Sequence, residues 1–190
     1  TLEESGLLGS AYLAENPPVD LANVVAGFNF DRILPTGKTK DMAVIGYGAS
    51  ELEDILEAEL EKEGRYINPD PNPEKGYFYR SDHISFAKKG VPVLYADDGF
   101  DLEIGGIEKG FNEIYDYTNY RYHGVDDEYD PSWNLEGFEQ TINTLFNISF
   151  ELSNSNDWPN WYEGNEFREI RDAQLMSKNT PWKKLNFFYI

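Results

Sequence analysis

The sequence predicts an α/β fold, a mostly parallel or mixed sheet flanked by helices, and three observations carry that prediction. Apolar runs of strand length end in acids, stretches of helical period lie between them, and Pro, Gly and Asn mark the joins. Residues 5–16 read as a short helix stopped by Pro17-Pro18. Residues 23–31 form a mostly apolar run closing in Asp31, as suits a strand buried on both faces. After a turn at Pro35-Thr36-Gly37, residues 41–47 read as another strand through Met42, Val44 and Ile45. The clearest helix covers 50–62. Ser50 and Glu53 have capping-box spacing, Leu52, Ile55, Leu56 and Leu60 form one stripe, and Gly64 ends it. Its glutamates are then a solvated outer face.

Asp70-Pro71-Asn72-Pro73 reads as loop, 82–89 as a short helix, and 91–96 as a strand closing in Asp97-Asp98-Gly99. Residues 100–134, rich in Gly, Tyr and Asp, read as one long loop, and such a loop in a compact domain is functional or mobile. A final amphipathic helix follows, with Leu135, Phe138, Ile142, Leu145, Phe146 and Leu152 at helical intervals. Trp158, Trp161 and Trp182 fall in a tail of residues 154–190, which is therefore expected to pack against something.

A length of 190 residues suits one domain with a real core. Thirty-five acidic against sixteen basic residues leave a net charge of −19, which argues against nucleic acid or an anionic membrane as partner. No cysteine is present, so neither a disulfide framework nor a thiolate metal site can form. No apolar run approaches the roughly 18 residues that span a bilayer. The chain opens without Met or a signal peptide, and it is expected to begin inside a longer protein.

Candidate acids and bases gather at the ends of the strands: Glu3 and Glu4, then Asp31, then Asp97 and Asp98. Ligands of open α/β sheets bind beyond the carboxyl ends of the strands. Adjacent glutamates at a helix start point in different directions, so one can bind a cation while the other activates water. Acids that oppose a helix dipole are the plainer reading of the same pair. His123 in a carboxylate-rich loop suits zinc, or is a solvated side chain. Ser81-Asp82-His83 is no serine triad, because consecutive side chains cannot relay a proton. The acids from Asp126 to Asp130 lack EF-hand spacing and read as a solvated loop.

Taken in order, these pieces resemble the M28 family of zinc peptidases, which includes aminopeptidases and glutamate carboxypeptidases. The resemblance runs from residue 1 to about residue 173. It rests on Glu3-Glu4-Ser5-Gly6-Leu7-Leu8-Gly9-Ser10, Asn29-Phe30-Asp31, Arg80-Ser81-Asp82-His83 through Phe86, Gly90-Val91-Pro92, and Tyr122-His123 with Asp127 and Tyr129-Asp130. It implies that Glu3 is the general base, that Glu4 and His123 share one zinc, and that Asp31 ligates the other. Tyr122 would lie near the oxyanion, with Asp82 and His83 in supporting places. The tail from Trp158 to Arg168 is similar to the carboxyl end of bacterial exported members, which implies a periplasmic or extracellular location.

Family members carry a His-x-Asp motif upstream of the glutamate pair, and this chain has none. The expectation is therefore the carboxyl-terminal part of one zinc-peptidase catalytic domain, lacking early strands at its N-terminal side. Two zinc ions belong to the complete domain, with partial or no binding and little activity here. A peptide is the expected substrate, and association with a missing N-terminal half, or self-association, the expected contact. A glutaminyl-cyclase-like zinc enzyme and a non-catalytic acidic binding domain are the alternatives. Asp97, Asp98 and Asp101 are equal candidates for holding a substrate amine.

Overall fold

The structure is a computed structural model that describes residues 2–176 and 188–189. Five strands form one mixed sheet in the order β3-β2-β4-β1-β5: β1 (Gly27–Asn29), β2 (Asp41–Val44), β3 (Tyr66–Pro69), β4 (Val93–Asp98) and β5 (Phe188–Tyr189). β2 runs antiparallel to β4, and every other neighbouring pair is parallel. Helices α1 (Leu8–Glu15), α2 (Leu52–Glu63), α3 (Ile84–Ala87), α4 (Gly106–Tyr120), α5 (Glu136–Asn154) and α6 (Arg168–Met176) surround it.

Alternation along the strands divides the core. In β4, Leu94 and Ala96 join Phe28, Met42 and Val44 against α2 and α5, while Val93 points the other way to Ile84, Phe86 and Trp161. Both faces are covered, as the near-continuous apolar runs require. Trp161 is fully buried and Trp158 packs on the first cluster, so this part of the tail is core. Trp182 lies outside the described residues. Among the described residues, no helix is long and apolar enough to cross a membrane.

Several expectations need correction. The stretch 100–134 is not one loop, since α4 occupies its middle. Its helical line Ile107, Phe111 and Ile114 is interrupted by Gly105, Gly106 and Gly110, which lower helix propensity. Gly110 is needed there, because a Cβ would collide with the Phe100 carbonyl where Phe111 stacks on Phe100. The edge strand β3 was not anticipated; it is short and ends in Pro, which only an edge tolerates. The 23–31 run pairs only over Gly27–Asn29, after a single 3₁₀ turn at Leu21–Asn23.

The glutamates of α2 are not uniformly solvated. Glu53 is buried and accepts from the amides of Gly48, Ala49 and Ser50, which is half of the capping box; the Ser50 hydroxyl has no partner among the described residues. Glu59 is buried against Lys62 and Asn147. On α5 the inward line runs through Thr141, Thr144, Leu145, Ile148 and Leu152, leaving Leu135, Ile142 and Phe146 exposed.

Candidate active site

Two parallel strands carry the floor of the site. β1 and β4 align Asn29 with Tyr95, so their carboxyl ends emerge side by side. Asp31 follows β1, and Asp97 stands two residues beyond Tyr95. The buried Asp97 Oδ1 accepts from the amides of Asp31 at 3.1 Å and Arg32 at 3.3 Å, which fixes the loop. Burial pushes the Asp97 carboxyl up to about 6, with those same amides opposing the shift. The Tyr95 hydroxyl donates to Asp31 Oδ2 at 3.3 Å. Burial, then the nearby Asp97 and Asp31 charges, raise Tyr95 far above its ordinary range, so it stays a neutral donor.

His83 supports this floor from below. Its ring lies 4.9 Å from Tyr95 and edge-on to Phe78 at 4.7 Å. Burial holds it down to about 3, so the imidazole is neutral. The Phe78 backbone is close enough to oppose that shift, yet neither ring nitrogen reaches hydrogen-bonding geometry with any described residue. Here His83 packs as an aromatic. Ser81 accepts from Asn29 Nδ2 at 3.0 Å, tying the same turn to the end of β1. Asp82 Oδ1 is buried without a partner among the described residues.

The opposite wall comes from two turns. Glu3 and Glu4 lie in a tight turn before α1, where the Glu3 carbonyl accepts from Gly6 and Leu7. Leu2 and Leu7 flank it in left-handed backbone (φ 63° and 60°), a conformation that costs free energy at non-glycine residues and clusters at functional sites. His123, beyond the end of α4, is left-handed as well (φ 58°) and stacks on Tyr122 at 3.8 Å. Its Nε2 stands 2.6 Å from Glu4 Oε1, with both side chains more than half exposed. Glu3 is raised above its ordinary value by partial burial first, then by repulsion from Asp31, Glu4 and Asp82, with His123 opposing. Tyr122 is raised by burial, then by Glu4, Asp31 and Glu3.

Glu3, Glu4, Asp31, Asp82, Tyr122 and His123 therefore lie within electrostatic reach of one another, with His83 buried beneath Tyr95. Glu4 and His123 are in direct contact, while Asp31 keeps to the other side with Tyr95. Among the described residues no three His, Cys, Asp or Glu side chains are placed to hold a metal ion. Tyr95 and Asp97 are the residues that sequence reasoning missed as supports for Asp31. The three amine candidates already have internal partners: Asp97 as above, Asp98 with the Leu34 amide, and Asp101 with Lys40 and the Tyr66 hydroxyl. A cavity of about 150 Å³ opens beside Tyr95 and Tyr122.

Carboxylates, an imidazole and a neighbouring cavity gather at the ends of parallel strands, where ligands of open α/β sheets bind. The profile of Peptidase family M28 matches residues 1–147, and the chain belongs to that family. The match spans every site residue named above and stops within α5, leaving the tail outside it. No curated protein and no solved structure matches the chain. The fold is M28-peptidase-like and the function, at the level the family defines, that of a peptidase.

Proposed function

We propose that the chain belongs to a zinc-dependent exopeptidase of the aminopeptidase type. The observation that carries this reading is the 2.6 Å approach of His123 Nε2 to Glu4 Oε1 beside a Glu3 whose pKa is raised. An imidazole nitrogen and a carboxylate oxygen in direct contact are a donor pair that zinc accepts once they part to admit the ion. Glu4 and His123 would hold one ion and Asp31 a second. When bound, such ions polarise a carbonyl and bring the pKa of a water to about 7.

The remaining work falls to the chain. Glu3 takes the proton of the attacking water and passes it to the leaving amine, a task that a raised carboxylate pKa suits. The Tyr122 hydroxyl, kept protonated, donates toward the developing oxyanion. Tyr95 and Asp97 hold Asp31 in register. Three donors serve two ions, whereas catalytic zinc takes about three protein ligands each. The full set needs donors from another segment or chain, and these 190 residues alone are expected to bind zinc weakly.

The test is zinc-dependent hydrolysis of aminoacyl amides by the protein with its full donor set restored, in wild type and Glu3→Gln. General-base loss predicts a fall of about 10²–10⁴-fold in kcat with the fold unchanged. Hydrolysis that survives Glu3→Gln contradicts the role of Glu3, and efficient turnover by the isolated chain contradicts the shortage of donors.

A further inference from the structure

Helix α5 has two apolar faces, and the fold uses only one of them. Leu145, Ile148 and Leu152 pack into the core. Ile142, Phe146 and Phe150, spaced four residues apart and more than half exposed, form a second line along the outside. The Phe146 and Phe150 rings stack at 6.0 Å. From Leu135 to Phe150 the helix carries Glu136 and Glu139 and no basic residue. Aromatic surface poor in charge is the composition of an interface core.

One turn before Ile142 this line runs into a cavity. Phe138 reaches both, and together with Trp133 it walls a space of about 320 Å³. Five acids line the same space, Glu113, Asp126, Asp127, Glu128 and Asp130, against one cation, Arg121. Arg121 is occupied, since it lies over the Tyr117 ring at 5.5 Å and its charge acts on Asp130. Asp127 accepts from the Tyr117 hydroxyl, and Asp130 from the Ser132 amide and hydroxyl. Glu113, Asp126 and Glu128 have no hydrogen bond or ion pair among the described residues. Aromatic walls beside unpaired carboxylates fit an ammonium or a guanidinium.

We propose that α5 docks an amphipathic helix of a partner protein, its apolar stripe along Ile142, Phe146 and Phe150 and a terminal lysine or arginine in the acidic cavity. Charge complementarity selects this occupant, because a second copy would bring another net charge of −19 to the same acids. None of these residues is assigned to the metal or the proton, so the surface stands whether or not the chain hydrolyses peptides.

Labelled helix-forming peptides of about 18 residues, roughly five turns, serve as probes in fluorescence anisotropy against the 190-residue chain. One has a leucine stripe and a lysine pair at its amino end, and another carries the pair at its carboxyl end. Controls replace the lysines by glutamates or scramble the leucines. One lysine-ended peptide should bind at least about tenfold tighter than its glutamate-ended and its scrambled control. Phe146→Ser should weaken that binding at least about tenfold at an unchanged melting temperature. Glu128→Gln combined with Asp126→Asn should bring the lysine and glutamate peptides close to equal, while the stripe still counts. Equal binding of striped and scrambled peptides, or of lysine-ended and glutamate-ended ones, overturns the proposal. So does binding that survives Phe146→Ser, or binding by none of the peptides. Sedimentation of the free chain supplies the last outcome: self-association that Phe146→Ser abolishes would give the ridge to a second copy and overturn it.

Discussion

Asp31 and His123 face the same patch, yet one is held from beneath and the other stands on an exposed turn. Asp31 takes its position from Tyr95 and Asp97, both buried, with His83 packed under Tyr95. His123 has only its stacking on Tyr122 and its contact with Glu4, both in solvent. An exposed pair of this kind contributes little to stability. The Asp31 half is thus preorganised by the core, whereas the Glu4–His123 half rests on an exposed contact alone.

If that contrast holds, substitutions under Asp31 should damage the fold and substitutions at His123 should not. The largest effect is expected for Tyr95→Ala, which empties a buried aromatic site and should cost about 3–5 kcal/mol in chemical denaturation. Unchanged stability in that variant would remove the distinction between the two halves.

A second test uses pH. Burial first, then repulsion from Asp97 and Asp41, pushes the Asp98 carboxyl up to about 7 from its ordinary 3.8. Between those values folded Asp98 keeps a proton that the unfolded chain releases, so the folded state binds more protons. Stability should therefore fall as pH rises from about 4 to 7, with a slope of at most about one proton from this group. Asp98→Asn keeps an acceptor for the Leu34 amide and should flatten most of that slope, leaving a smaller one from Asp97. A profile unchanged by Asp98→Asn would contradict the assignment. The smallest effect belongs to His123→Ala, expected within about 0.5 kcal/mol of wild type by the same denaturation.

The same contrast explains what could be read from the chain. Exposed functional residues carry local signatures: Glu3-Glu4 before a helix and Tyr122-His123 in an acidic setting are visible as motifs. The supports are not. Tyr95 looks like one more residue of an apolar strand, and only the parallel register with Asn29 brings it to Asp31. Strands with continuous apolar runs were legible because burial on both faces leaves that pattern. α4 was hidden because glycines break its apolar line, and one of them, Gly110, serves a close approach to Phe100 that no local signal announces. β3 was hidden because four residues ending in Pro have too little pattern to separate a strand from a turn. Glu59 looked solvated because its burial depends on a partner distant in sequence, Asn147, whereas Glu53 is buried by the local amides of Gly48, Ala49 and Ser50.

Zinc titration of the chain by calorimetry, in wild type and His123→Ala, tests the central claim most directly. The account predicts one weak site in wild type that disappears in His123→Ala while the fold remains. Tight binding of two ions, or binding indifferent to the loss of His123, would contradict it.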